Sequence, residues 1–172
     1  MRVPAYDLRT VNSAFGPIEI YSRDVGTIVA LTGRYFLQLS RSGQASMTIV
    51  SQSNRAVADL AARNDKFGWV TIIEPEAELT MPENVRNGFN ALVKRYSSRI
   101  SGAAIVFEKT GFHATAVRSL VTAINVASRA THPNRVFSEV REAVSWVTKL
   151  TGGEPSAAGL AHIIQQIRSL PG

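Results

Sequence analysis

The stretch His132-Pro-Asn-Arg-Val-Phe-Ser-Glu-Val-Arg-Glu-Ala-Val-Ser-Trp-Val147 decides the fold class. Residues 135–137 have β character and run directly into an amphipathic helix over 138–150, with Ser138 in the position of an N-cap. Upstream, residues 112–130 carry a long helical pattern with Val117, Leu120, Val121, Ile124 and Ala127 on its apolar side. Pro133 ends that pattern, because proline cannot continue the hydrogen-bond ladder. Helix, strand and helix in that order, repeated toward the N-terminus, predict an α/β domain with helices packed on a sheet.

Ala103-Ala-Ile-Val-Phe107 and Trp69-Val-Thr-Ile-Ile73 read as two further strands. Between them, Thr80-Met-Pro-Glu83 has the form of a capping box, with Thr80 as the cap, Glu83 reaching back and Pro82 in the first turn. The helix it opens places Val85, Phe89, Leu92, Val93 and Tyr96 on one face. Residues 44–63 form another helical pattern, with Met47, Val50, Val57, Leu60 and Ala61 near one side. Residues 15–21 and 25–31 pair as an antiparallel hairpin across Ser22-Arg23-Asp24, and 33–43 read as a polar, turn-rich connection anchored by Tyr35, Phe36, Leu37 and Leu39. Residues 1–14 form a lead-in with room for a short edge strand.

Gly152-Gly153-Glu-Pro155 breaks the chain before a last helix within 154–170, whose stripe is Leu160, Ile163, Ile164, Ile167 and Leu170. That helix is expected to pack either on the α/β domain of residues 15–150 or on a partner subunit. The expected order is β-β-α-β-α-β-α-β-α plus the C-terminal helix, the later strands being parallel and joined by right-handed crossovers.

Composition narrows the function classes. Of 172 residues, 45% are hydrophobic and 19% charged, which places the chain among globular proteins and gives it length enough for a core. No apolar run approaches the roughly 18 residues of a membrane span, and the N-terminus lacks the apolar region of a secretory signal, so a cytoplasmic location is expected. The absence of cysteine excludes disulfides, thiolate catalysis and cysteine-based zinc sites. A net charge of +6 invites an anionic partner. The cations are scattered, however: the nearest groupings are Arg86, Lys94, Arg95 and Arg99, and Arg34 with Arg41. With no basic run and no RNA-binding aromatic signature, a solvated basic surface is favoured over nucleic-acid binding.

The opening hairpin, the βα units and the closing strand plus helix resemble the STAS superfamily, the anti-sigma-factor-antagonist or SpoIIAA-like proteins. The closing piece, residues 135–147, is similar to the ending of that family, where a V-[RF]-x-F strand precedes a helix bearing E-A-x-x-W-[LV]. Here that element is Glu142, Ala143, Trp146 and Val147. The resemblance implies a STAS-like mixed sheet of about five strands with an added C-terminal helix. It also implies a small regulatory module that docks to protein partners without enzymatic activity. Phosphorylatable members carry an Asp-x-Ser-type motif before the helix after the third strand. The matching stretch, Glu74-Pro-Glu-Ala-Glu-Leu-Thr-Met-Pro82, lacks that motif and leaves Thr80 as the candidate phosphosite. The cap role explains Thr80 better, and Glu74, Glu76 and Glu78 would repel an added phosphate.

Other candidate chemistry is sparse. Thr110, Gly111, His113 and Arg118 lie at an expected helix start and form a candidate anion site, weighed against a plain surface histidine. His132 stands at a helix stop, where an imidazolium would complement the dipole. His162 is expected to be half exposed, and the three histidines have no metal-ligand spacing. Trp69 and Trp146 are expected as core or helix–sheet contacts. No nucleophile elbow, Walker loop or dinucleotide fingerprint occurs, so no catalytic residue, metal or cofactor is assigned. The leading expectation is a non-enzymatic regulatory or scaffolding module that binds a protein partner, with homodimer formation a further expectation. The alternatives are a lipid or small-ligand binding domain, which requires an apolar tunnel, and a small enzyme using the acidic loop 74–83.

Overall fold

The computed structural model describes residues 9–23, 26–78, 80–108, 115–116, 118–119, 122 and 129–171. Their strands form one seven-stranded sheet in sequential order: β1 (Arg9–Ser13), β2 (Gly16–Arg23), β3 (Thr27–Thr32), β4 (Tyr35–Ser40), β5 (Phe67–Ile73), β6 (Ile100–Phe107) and β7 (Asn134–Phe137). The first four are antiparallel, and β4 through β7 run parallel. The helices are α1 (Met47–Arg63), α2 (Glu83–Tyr96), α3 (Val140–Thr151) and α4 (Ala157–Arg168). Residues 115–116, 118–119 and 122 are also helical. The class is α/β as expected, but the sheet has seven strands where about five were expected.

Both additions lie in the N-terminal half. β1 pairs with β2 across a turn in which Ser13 Oγ accepts from the Phe15 N–H at 3.0 Å and donates to the Gly16 carbonyl at 2.8 Å. β4 replaces the expected connection at 33–43. It is reached from β3 through the two-residue loop Gly33-Arg34, with Gly33 at φ +52, the positive φ such hairpins require. Tyr35, Leu37 and Leu39 face one core and Phe36 the other, so β4 is covered on both sides.

The two faces bury separate cores. On one, Ile18, Ile20, Leu37, Val70 and Val106 meet Val144 and Val147 of α3 and Leu160, Ile163, Ile164 and Ile167 of α4. On the other, Val29, Leu31, Phe36 and Trp69 meet Val57 and Leu60 of α1 and Val85, Phe89 and Leu92 of α2. α3 lies over β5, β6 and β7, α1 over β2, β3 and β4, and α4 covers the antiparallel half of the sheet. Between α4 and the sheet, Ile28, Leu37, Leu39, Ile72, Ile164 and Ile167 enclose a void of 10 Å³, about the space of one water.

Helix starts follow local hydrogen bonding. Ser46 caps α1, its side chain accepting from the Ile49 N–H at 3.4 Å, and Ser156 caps α4 through the Gly159 N–H at 3.2 Å. Two expected caps are corrected. α2 begins at Glu83 with Pro82 as its N-cap, at φ −54 and ψ 147, and no side-chain cap bond forms because proline carries no side-chain acceptor. Thr80 lies before that point, and its hydroxyl accepts from Gln44 Nε2 at 2.7 Å. α3 is preceded by Glu139 in extended conformation rather than by Ser138, again without a side-chain cap bond.

Candidate functional site

Open α/β sheets usually hold ligands beyond the C-terminal ends of their parallel strands. Here α4 crosses that edge. Arg168 pairs with Glu108 after β6 at 2.6 Å and with Glu74 after β5 at 3.6 Å, all three side chains being about a quarter exposed. Arg41 donates to the carbonyls of Leu170, at 3.0 Å, and Arg168, while Arg23 Nε donates to that of Pro171 at 2.9 Å. Glu74 and Glu108 thus share one guanidinium, while Glu76, Glu78 and Glu83 are exposed. Among the described residues no three carboxylates or histidines gather closely enough to hold a metal. The carboxylates that do converge there, Glu74 and Glu108, meet on the Arg168 guanidinium.

That loop is tied to the start of α1. Gly43 and Ala77 form a β-bridge, the Glu78 N–H donates to the Gly43 carbonyl at 3.1 Å, and Gln44 holds Thr80. Three residues after Gln44, Met47 opens α1 and is 45% exposed, whereas Met81 of the loop is half-buried against the core.

The opposite edge of the parallel strands is open. Arg34, Lys66, Ser97, Ser98, Ser101, Thr131, His132 and Thr151 line a cleft of 520 Å³ with Ile100, Pro133 and Leu150. A second depression of 320 Å³ shares Arg34 and Lys66 and is otherwise lined by residues 61–65. Ser97 and His132 are both buried, with Ser97 Oγ 2.9 Å from His132 Nδ1. Ser97 Oγ also accepts the Thr131 N–H at 2.7 Å, and Asn134 Nδ2 donates to the His132 carbonyl at 2.9 Å. Burial holds the imidazole below its ordinary pKa of 6.5, partly offset by hydrogen bonding of the ring to the Ser97 backbone and the Asn134 side chain as acceptors. His132 is thus neutral at neutral pH, which corrects the expectation of an imidazolium at a helix end.

Other sequence candidates separate. Arg99 donates to the carbonyls of Ala61 and Asn64 at the end of α1, so it is a structural cation. His162 is exposed, its ring centroid 5.1 Å from that of Phe15. Trp69 is buried against Phe36, and Trp146 packs against Phe137. Of the expected anion site, Thr110, Gly111 and His113 lie outside the described residues; Arg118 is exposed on a helical residue. The sequence singled out Arg34 and His132 separately but not the cleft they share with Lys66, Ser97 and Ser98, although each of these stands shortly before a parallel strand. The missed β4 concealed the first of these positions.

No protein-family model matches the sequence, and no curated protein matches it. The architecture defines an α/β protein with a SpoIIAA-like fold. The particular likeness is to an uncharacterized protein of the DUF3478 family from Shewanella loihica PV-4, described as having a SpoIIAA-like fold. The identity is 15% and the TM-score 0.50, over 80% of this chain and 98% of that one. At that identity the likeness shows the fold. Among the described residues no helix is long and apolar enough to cross a membrane.

Proposed function

We propose that this chain is a non-enzymatic regulatory or scaffolding module that binds a protein partner. The working surface is the 74–83 loop together with the start of α1. The observation that carries the reading is the fixed geometry of this surface: a bridge and two hydrogen bonds tie the loop bearing exposed Glu76, Glu78 and Thr80 to Gly43 and Gln44, three residues before the exposed Met47 that starts α1. A rigid loop loses little entropy on docking, and a methionine adapts to an apolar counterpart. The acidic flanks favour a partner surface that is basic around an apolar pocket. Against the lipid-binding alternative stands the tight packing of α4 on the sheet, whose 10 Å³ void cannot admit an acyl chain.

Cytoplasmic residence and homodimer formation belong to the same proposal. So does regulation at Thr80, the sole hydroxyl of 74–82, where a phosphate would enlarge the negative charge facing a basic partner. The test is a photo-crosslinking amino acid at position 47, with position 139 as an exposed control, in the native host. The reading expects a partner captured from 47 alone and lost on Glu78→Lys. Equal capture from both positions overturns it. Mass spectrometry of the native protein tests Thr80, and consistent absence of modification removes that element.

A further inference from the structure

We propose that the cleft at the N-terminal edge of the parallel strands binds a small phosphorylated, hydroxyl-bearing molecule of the sugar-phosphate class. This site lies at the other end of the sheet from the proposed docking surface and is independent of it.

The topology brings the cations together. Arg34 directly precedes β4 and Lys66 directly precedes β5, and these strands are parallel neighbours, with the Gly68 N–H donating to the Arg34 carbonyl at 2.9 Å. Adjacent strands lie about 4.8 Å apart, so both side chains leave the sheet at one edge. Both line the cleft, no carboxylate does, and among the described residues neither enters an ion pair. Lys66 gives one of its donors to the Ser98 carbonyl, which fixes its direction and leaves two donors. Gly153, at φ +76, lets the chain pass beside Arg34: a Cβ there would lie 3.2 Å from its Cδ.

The remaining walls fit a hydroxylated body. Ser98, Ser101 and Thr131 offer accessible hydroxyls that both donate and accept, as sugar hydroxyls do. Thr151 lines the cleft with its hydroxyl turned inward toward Gly68, so the polar contacts fall to those three residues. Neutral His132 and the committed Ser97 hydroxyl make an uncharged floor, and Ile100 and Leu150 supply an apolar margin. A volume of 520 Å³ falls within the roughly 300–1,000 Å³ of small-molecule sites. Two cations with an uncharged floor select a dianionic headgroup over a neutral sugar.

The experiment is amide NMR titration with glucose 6-phosphate, inorganic phosphate and glucose. Glucose 6-phosphate is expected to shift the amides of 97–101 and 131–134 with the highest affinity. Inorganic phosphate should shift the same amides more weakly, and glucose should leave them unmoved. In the Arg34→Ala/Lys66→Ala variant, folded as its unchanged spectrum elsewhere would show, affinity should fall about tenfold or more. Ser101→Ala, which removes an accessible cleft hydroxyl, should weaken glucose 6-phosphate more than inorganic phosphate. If inorganic phosphate binds as well as glucose 6-phosphate, the sugar-phosphate assignment is wrong. Shifts elsewhere, no shifts, or unchanged affinity in the double variant overturn the site itself.

Discussion

The Ser97 hydroxyl sits 2.9 Å from His132 Nδ1 and 2.7 Å from the Thr131 backbone nitrogen, joining the residue that follows α2 to the segment that enters β7. Thirty-five residues separate serine and histidine in the chain. Ser97→Ala leaves a backbone N–H and a buried imidazole nitrogen unpaired, and we expect a loss of about 1–3 kcal/mol in stability. Denaturant titration measures it; an unchanged midpoint would contradict the buried bond.

His132 also predicts a pH dependence. Its folded-state pKa lies below the ordinary 6.5, chiefly through burial. The unfolded chain therefore binds a proton more readily, and stability rises with pH through this group's titration. The contribution is complete above about 6.5 and is lost as the pH falls below it. Equilibrium unfolding across the mildly acidic range should show this slope in the native chain and a shallower one in His132→Gln.

Thr80 and Ser46 should behave differently. Thr80→Ala removes an exposed bond to Gln44 and is expected to change stability by less than about 0.5 kcal/mol. Ser46→Ala removes the α1 cap and should cost about 1 kcal/mol. Thermal melts of the two variants side by side give the comparison, and the reverse ranking would restore Thr80 as a cap.

Ile163 and Met47 contrast core with surface. Ile163 is fully buried between α4 and the sheet, so Ile163→Ala should cost about 2–5 kcal/mol. Met47→Ala, at an exposed position, should stay within about 0.5 kcal/mol while weakening binding of the captured partner. A stable Met47→Ala chain that still binds its partner fully would sink the docking surface.

The α/β class was legible because β5, β6 and the α2 face of Val85, Phe89 and Leu92 carry strong periodicity over short windows. β4 was not, because Gln38 interrupts its apolar run and Gly33 and Gly43 flank it like a loop. Yet Gln38 is buried, and the strand is central. The caps at Thr80 and Ser138 satisfied local patterns, but an extended Pro82 and Glu139 displaced the helix starts. The site resisted reading for a different reason. Arg34, Lys66, Ser97 and His132 are isolated in sequence and become neighbours only when four parallel strands align their ends.

The grip of Arg23 and Arg41 on the carbonyls of residues 168–171 joins positions 127 to 148 residues apart. On a ribosome, β1 through β4 are finished long before α4 exists, yet one of their faces is covered by Leu160, Ile163 and Ile167. The antiparallel half therefore emerges with an apolar side awaiting a helix synthesised over a hundred residues later. Closure is a late event of high contact order, so the growing chain passes through a stage in which this face is open to chaperones or to self-association.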